Sequence, residues 1–311
     1  MKISLVFILL CIISVFVGVQ QIAWTSLFDV SSHTWLTLTA SRLPRLVALT
    51  LTGVGLSVSG VILQQIVHNK FVEPSITGGL DASKLGILIA LTFLPSIGTL
   101  GKMLFATLFC FVASVVFIVF INRLKVKNMV LVPVIGLMYG GILSAFAEFY
   151  AYQNNIIQSM QSWLLGDFSK VVQGHYEMIY VVLPILILTY LYAQPFTVVG
   201  MGEDMAKSLG INYSLTVGVG FLLVSVVTAI TVITVGAIPF VGLVIPNLVA
   251  LNYGENLAKT LPIIALSGAC FLLICDIVGR LLIYPFEVPI ALTAGSIGGV
   301  LFLILLIRGV R

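Results

Sequence analysis

The sequence predicts an all-α, polytopic membrane protein with about ten transmembrane helices. The chain has 311 residues, of which 60% are hydrophobic and only 8% are charged, whereas an ordinary soluble domain is about 25% charged. Long apolar runs also recur along the whole chain and are separated by short polar turns. Such a chain cannot cover its apolar surface in water, so we expect lipid to be its solvent and residues 1–311 to form one transmembrane domain.

The individual spans follow from the apolar runs, because a membrane-crossing helix needs about 20 apolar residues. Seven runs are clear: 3–19, 43–63, 103–121, 129–152, 177–193, 215–235 and 288–307. Three are less regular: 76–94, which is rich in glycine, the short run 239–253, and 258–281. An even number of spans predicts that both termini lie on the same side.

Lysine and arginine set the predicted orientation, since they are enriched in cytoplasmic loops. An inside amino terminus places the cluster Arg123, Lys125 and Lys127 in the cytoplasm. We therefore expect both termini to be cytoplasmic. The first run resembles a signal peptide but has no small-x-small cleavage site after it, so we interpret it as an uncleaved span.

Two outer loops are long enough to hold structure of their own. Residues 20–42 and 153–176 each contain tryptophan, which favours the membrane interface. We expect short helices that lie on the membrane surface in both loops.

Several function classes are excluded by what the sequence lacks. It has no G-x-x-x-x-G-K-[ST] phosphate loop, so we do not expect the chain to hydrolyse nucleotide, and it has no hydrophilic basic surface for nucleic acid. The histidines are far apart, and the cysteines lie in apolar runs without ligand spacing. We expect no catalytic residue, no metal and no cofactor.

Charged residues inside apolar runs are functional candidates, because a charge at the bilayer centre costs about 3 kcal/mol or more. Asp81 and Lys84 are three residues apart, and Asp276 and Arg280 are four apart, so each couple can form an ion pair. Glu148 and Glu287 are further candidates. An ion or proton relay through Asp81, Lys84 or Glu148 remains open beside simple pairing.

The motif SRLPRL places Arg42 and Arg45 at the outer mouth of the second span. Both side chains could point outward and meet acidic groups on a partner, because the planar guanidinium pairs bidentately with carboxylates. Arginines that snorkel to the membrane surface are the alternative.

A polar segment, GMGEDMAKSLGI, interrupts the apolar chain at 200–211. Glu203 and Asp204 favour the amino-terminal end of a short helix, Lys207 lies four residues after Glu203, and Gly210 can stop the helix. A helix with one apolar and one charged face is suited to a groove on another protein. A plain interfacial loop is the alternative.

The stretch VGAIPFVGLVIPN, which contains two prolines, Pro239 and Pro246, and two glycines, predicts a broken helix. Such a break is tolerated only where protein or a water-filled path surrounds the backbone.

Four stretches together resemble the FecCD family, the permease subunits of bacterial iron-siderophore and cobalamin importers of the ABC class. The stretches are SRLPRL at 41–46, SVSGVILQQIVHNKFVEP at 57–74, GMGEDMAKSLGI at 200–211, and VGAIPFVGLVIPNLV through CDIVGRLLIYPFEVPIALTAGSIGG. They are spread over most of the chain and keep the order of the family. The likeness is strongest to permeases for catecholate-type siderophores such as petrobactin.

The resemblance implies a type II ABC importer permease fold in the cytoplasmic membrane. It implies a second permease subunit in a homodimer or heterodimer, cytoplasmic ATPase subunits that hydrolyse ATP, and an extracytoplasmic siderophore-binding protein. Arg42, Arg45 and Arg280 match arginines that meet the binding protein. The segment 200–212 matches the coupling helix, with contacts expected from Gly202, Glu203, Asp204, Met205, Ala206, Lys207, Ser208, Leu209 and Gly210.

The sequence departs from the family pattern near the expected gate. Asn247 stands where many members have histidine, HNKFVEP replaces R-N-P-L-A-x-P, and EVPIA replaces E-L-P-I-G. The expected pathway or gate residues are Pro239, Gly242, Pro246 and Asn247. The rival functions are an ion-gradient-driven secondary transporter and, more weakly, a receptor or scaffold without transport.

Overall fold

The computed structural model describes residues 2–18, 33–124, 131–174 and 176–309. Within these ranges the chain is almost entirely helical and contains no β-strand. The helices are α1 (Lys2–Phe16), α2 (His33–Thr37), α3 (Leu43–Val67), α4 (Gly79–Phe93), α5 (Thr99–Leu124), α6 (Leu131–Gln153), α7 (Ile157–Leu164), α8 (Val182–Leu191), α9 (Ala193–Val199), α10 (Glu203–Ser208), α11 (Tyr213–Thr234), α12 (Val241–Tyr253), α13 (Leu257–Leu282) and α14 (Ile290–Gly309).

Each of the ten predicted runs contains a helix, so the all-α polytopic prediction is confirmed. In the described part of the chain, six helices are long and apolar enough to cross a membrane: the continuous helix from Trp35 to Val67, and α5, α6, α11, α13 and α14. A seventh span is broken, because α8, with the 3-10 turn before it, and α9 meet at an angle of 63°.

The helices of the three remaining predicted runs are too short to cross the membrane alone. Helices α1 and α4 have 15 residues each and α12 has 13. At 1.5 Å per residue they extend about 20–23 Å, less than the ~30 Å hydrocarbon core. The segments 69–78 and 235–240 before α4 and α12 must therefore cover part of the membrane depth with irregular backbone, which requires surrounding protein.

Helix α3 lies at the centre of the molecule. In the most apolar part of its span, 83% of the residues are buried, compared with 22% in α6 and α14. Helix α3 packs on α11, α12 and α13. Small residues allow this close approach: a Cβ on Gly60 would collide with the carbonyl oxygen of Gly242, so only glycine fits where α3 meets α12.

The outer loops differ from the prediction of surface helices. In loop 153–176, α7 forms, but the following residues insert into the protein: the Asp167 N–H donates to the Val235 carbonyl at 3.0 Å, and Phe168 is fully buried. The described part of loop 20–42 is helical and runs into α3 through a π-helical turn, Leu38–Arg42. Residues 20–32 of that loop, including Trp24, lie outside the described residues, as do His175, Lys125 and Lys127.

Candidate binding, coupling and pathway sites

A cluster of charged side chains joins the start of α3 to the end of α13. Arg45 donates to Asp276 Oδ1 from Nη2 at 2.8 Å and from Nε at 3.2 Å, and its Nη1 donates to Glu287 at 2.7 Å. The Asp276 side chain is only 2% exposed. Asp276 also pairs with Arg280 one helical turn later, so this predicted ion pair is confirmed and Asp276 is shared by two arginines.

The other two arginine contacts hold the end of α1. Arg280 donates to the Ser14 and Val17 carbonyls at 3.0 and 2.7 Å. Arg42 donates to the Val15 and Val17 carbonyls, both at 2.7 Å. These carbonyls close a helix and have no intrahelical donor, so the two guanidinium groups satisfy them.

The expectation that Arg42 and Arg45 both point outward is wrong for this conformation. Arg42 is 9% exposed and turns toward α1, and the Arg45 side chain is 13% exposed and lies between two carboxylates. The physical reason is that a buried carboxylate such as Asp276 requires a cation, and α13 carries it beside Arg45. Whether Arg42, Arg45 and Arg280 also meet a partner stays a prediction.

The polar segment 200–212 forms α10 between α9 and α11. Gly202 and Gly210 have φ angles of +109° and +77°, a region that favours glycine, and they stand on either side of the helix. Glu203 and Lys207 pair at 2.7 Å as the spacing predicts, and this carboxylate raises the pKa of Lys207. The helix has six residues, shorter than the two turns that the sequence indicated.

One face of α10 is attached to the protein and the other is free. Ala206 is fully buried, and the Ile211 N–H donates to its carbonyl at 2.9 Å. Met201, Met205 and Leu209 are 63%, 48% and 59% exposed. Three large apolar side chains thus project from a short, well-anchored polar segment.

The predicted break lies at residues 235–240, before α12. Pro239 is in the break, whereas Pro246 is inside α12, so the two prolines do not frame one irregular segment as the sequence indicated. Phe240 ends the break in the left-handed region at φ +69°, which is strained for a bulky residue. Its ring lies 6.4 Å from that of Phe302 on α14.

Glu73 stabilises this break, a role that the sequence analysis did not predict. The residue is 5% exposed. Its carboxylate accepts the Phe240 N–H at 3.2 Å and the Ser75 hydroxyl at 2.6 Å, and it also interacts with the Leu243 N–H. Glu73 is thus an amino-terminal cap for α12 supplied from a remote segment. In the sequence Glu73 lies in a polar turn, HNKFVEP, far from α12. Only the tertiary fold brings it beside α12, so no local pattern indicates its role.

Two other expected gate residues connect α12 to the α3–α4 segment. Asn247 donates from Nδ2 to the Lys70 and Leu243 carbonyls, both at 2.7 Å. The Gly242 carbonyl accepts from Gln64 of α3 at 3.3 Å. Asn247, Gly242 and Glu73 therefore all link α12 or its start to α3 or to the segment that follows α3, and a pathway role stays a prediction.

The remaining intramembrane charges are paired. Lys84 Nζ lies 3.4 Å from Asp81, as the spacing predicts, and 3.8 Å from Glu148. It donates to Ser144 at 2.7 Å. In the described part of the chain no three His, Cys, Asp or Glu side chains group as a metal site would require.

The fold and these sites define a class, the polytopic helical membrane proteins with short, interrupted spans. The chain belongs to the FecCD transport family, whose model matches residues 6–308. One solved structure, a metal-chelate type ABC transporter in an inward-facing conformation, matches with a TM-score of 0.80 and 27% identity, over 99% of this chain and 98% of the other. The type II ABC permease fold follows from this match.

Curated relatives are similar over their full length. The chain is 59% identical over 310 residues to the ferric-anguibactin transport system permease protein FatD of Vibrio anguillarum, covering 100% of this chain and 99% of the relative. It is 44% identical over 311 residues to the petrobactin import system permease protein YclN of Bacillus subtilis, covering 99% and 98%. The expected likeness to petrobactin permeases is therefore present, beside a higher identity to the anguibactin permease.

Proposed function

We propose that this chain is the permease subunit of an ATP-driven importer that moves a ferric siderophore, of catecholate type, across the bacterial cytoplasmic membrane. Membership of the FecCD family and the functions of two full-length relatives support the substrate class. The permease performs no covalent chemistry on its cargo. A wide path between alternating outward and inward states is suited to a large chelate, and selectivity rests mainly on the binding protein.

The observation that carries the ATP-driven assignment is the exposed face of α10. Met201, Met205 and Leu209 project beside the charged pair Glu203–Lys207. A short helix with an apolar face and a polar rim fits a groove on a soluble protein. The partner is a cytoplasmic ATPase subunit, which binds residues 202–210 and transmits the effect of ATP binding and hydrolysis to the spans.

This assignment sets the orientation. If α10 is cytoplasmic, the amino terminus is cytoplasmic too, because the six spans before α10 (α1, α3, α4, α5, α6 and the broken span α8–α9) are an even number. The total number of spans is also even, so the carboxyl terminus lies on the same side. The arginine cluster lies at the opposite, extracytoplasmic end. One span, α1, separates the cytoplasmic amino terminus from the start of α3, where Arg42 and Arg45 lie. An extracytoplasmic siderophore-binding protein docks there through Arg42, Arg45 and Arg280.

A second permease subunit completes the pathway. Helices α6 and α14 are the least buried of the six long spans: in the most apolar part of each, only 22% of the residues are buried. Leu137, Met138 and Phe146 of α6 and Val300 and Leu303 of α14 are all more than half exposed. These two faces are the proposed subunit contact, as a homodimer or heterodimer, around a pathway gated near Pro239, Gly242, Pro246 and Asn247.

One observation favours a second candidate, a transporter driven by an ion gradient. Glu73 is a buried carboxylate with no cation within ion-pair distance among the described residues, as a proton-coupling site requires. Its bonds to the α12 amino terminus instead favour the role of a helix cap. Asp81 and Glu148 are weaker candidates because Lys84 lies close to both.

Uptake by a deletion strain tests the proposal in cells. We expect loss of labelled ferric siderophore uptake when the gene is deleted and full recovery when it is restored, and growth on defined iron chelates then identifies the cargo. Uptake that is unchanged by the deletion would instead support the third function, a receptor or scaffold.

A further inference from the structure

The polar turn HNKFVEP, residues 68–74, lies between the segment that leads into α10 and the start of α12. It follows α3 directly, and α4 begins five residues after it. Its two ends contact different parts of the protein, and these contacts indicate a role for the turn as a whole. We call it the 68–74 turn.

His68 joins the first end of the turn to the segment before α10. It ends α3 in the left-handed region at φ +52°, which histidine adopts more readily than most residues. Its ring donates from Nε2 to the carbonyl of Val199, the fully buried last residue of α9, at 2.8 Å. The same carbonyl accepts the N–H of Gly202, the residue before α10, at 3.0 Å. His68 and the start of α10 thus share one acceptor.

Gln65 makes a second contact at this junction. It lies in the last turn of α3, against the backbone of Gly200, where a Cβ would collide with the carboxamide oxygen of Gln65. Helices α3 and α9 also pack together. The end of α3 and the residues that lead into α10 are therefore held to each other from two positions.

The other end of the turn holds α12. Glu73 accepts the Phe240 N–H at 3.2 Å, and the Lys70 carbonyl accepts from Asn247 at 2.7 Å. Helix α12 has 13 residues and is about 20 Å long, so under the proposed orientation it begins about 20 Å from its cytoplasmic end. The 68–74 turn thus runs from the cytoplasmic end of α3 to a point within the membrane.

The interior of the turn is compact. Asn69 is 2% exposed and Val72 is fully buried. The Asn69 side chain accepts the Phe71 N–H at 2.9 Å, and the Asn69 N–H donates to the Gln64 carbonyl at 3.1 Å. A short turn with buried side chains and internal hydrogen bonds can pass on a displacement that a long, solvated loop would absorb.

We infer that the 68–74 turn transmits movement of α10 to the α12 break, with His68 and Glu73 as the positioning residues at its two ends. The inference rests on the proposed function, in which an ATPase subunit moves α10. A shift of α10 displaces the Val199 carbonyl, and His68 follows it. Glu73, at the other end of the turn, then shifts the amino terminus of α12.

A matched pair of variants at His68 separates the hydrogen bond from the fold. Asparagine also tolerates the left-handed region, but His68→Asn is too short to reach the Val199 carbonyl. His68→Gln keeps an N–H donor on a side chain about as long as that of histidine. His68 is exposed, so neither change opens a cavity, and both variants should unfold within about 3 °C of the parent.

Hydrogen exchange of the full chain in detergent tests the link without any ATPase. We expect His68→Asn to speed exchange about threefold at residues 200–202, beside the lost contact, and also at residues 240–243, which His68 does not contact. His68→Gln should restore both rates. Because α11 also connects α10 to the break, faster exchange at 200–202 alone would assign the transmission to α11 and overturn the inference, as would unchanged exchange at both places.

The complete transporter tests the consequence for transport. We expect His68→Asn to raise the ATP hydrolysed per siderophore imported by about threefold, with the affinity for the ATPase subunits unchanged, and His68→Gln to return the ratio to that of the parent. An unchanged ratio in His68→Asn would overturn the inference. Leu209→Asp should instead weaken the affinity for the ATPase subunits, so a wrong ATPase contact and a wrong role for the 68–74 turn are detected by different measurements.

Discussion

Arg45 and Asp276 are 231 residues apart in sequence, yet two nitrogens of the Arg45 guanidinium bond to one Asp276 oxygen at 2.8 and 3.2 Å. This contact joins the start of α3 to the end of α13. Because Asp276 also pairs with Arg280, and Arg280 holds the end of α1, a single carboxylate organises three helices at one end of the molecule.

Removal of that carboxylate should destabilise the fold. Asp276→Asn leaves Arg45 and Arg280 partly or fully buried without their shared partner, and we expect a loss of about 3 kcal/mol in the free energy of unfolding. Thermal unfolding in detergent measures it. The control is Lys70→Gln, which breaks an ion pair whose side chains are 61% and 60% exposed and should cost less than about 1 kcal/mol. Equal effects in both variants would contradict the structural role of Asp276.

The docking role of the arginines requires a variant that separates docking from folding. Arg45→Gln and Asp276→Asn both disturb the same cluster, but only Arg45→Gln removes a cation that acidic groups on a binding protein could meet. We expect Arg45→Gln to weaken the binding protein by about tenfold and Asp276→Asn to leave its affinity within about threefold. Surface plasmon resonance with the complete transporter measures both. A parallel loss in the two variants would mean that the cluster acts only through the fold.

The exposed face of α10 should couple ATP hydrolysis to transport. Leu209 is 59% exposed, so Leu209→Asp should fold normally and yet reduce coupled uptake by about tenfold, as at the centre of an interface. Leu36→Asp is a control for folding alone, because Leu36 is 63% exposed but lies in α2, near the arginine cluster where the binding protein is proposed to dock. Normal coupled uptake in Leu209→Asp would exclude this face as the ATPase contact.

Glu73 should act as a helix cap rather than as a proton carrier. Glu73→Gln keeps an oxygen that can accept the Phe240 N–H, so we expect uptake within about twofold of the parent. Glu73→Ala removes the acceptor and should lower the free energy of unfolding by about 2 kcal/mol. Uptake assays and thermal unfolding of both variants check this. Loss of transport in a stable Glu73→Gln variant would favour the ion-coupled alternative.

The helices could be predicted from the sequence because lipid requires long apolar runs, and α3 and α5 extend only a few residues beyond the runs that predict them. Pairs on one helical face, such as Asp276 and Arg280, follow from spacing alone. The contact between Arg45 and Asp276 could not be predicted in this way, because it depends on how α13 packs against α3. Glu73 was missed for the same reason, since its partner Phe240 is 167 residues away.

The positions of the breaks were also only partly predictable. Proline at 246 suggested an interruption, but α12 continues through it, while the irregular segment 235–240 is fixed by tertiary bonds from Glu73 and from loop 153–176. Local sequence indicates where a helix is weak. The surrounding protein decides where it actually breaks.

The most direct measurement is uptake of labelled ferric siderophore into proteoliposomes that contain this permease, its partner permease and the ATPase subunits, supplied with binding protein and internal ATP. We expect accumulation that persists when proton and sodium gradients are collapsed and that stops when ATP or the ATPase subunits are omitted. Accumulation that requires an ion gradient and continues without the ATPase would contradict it.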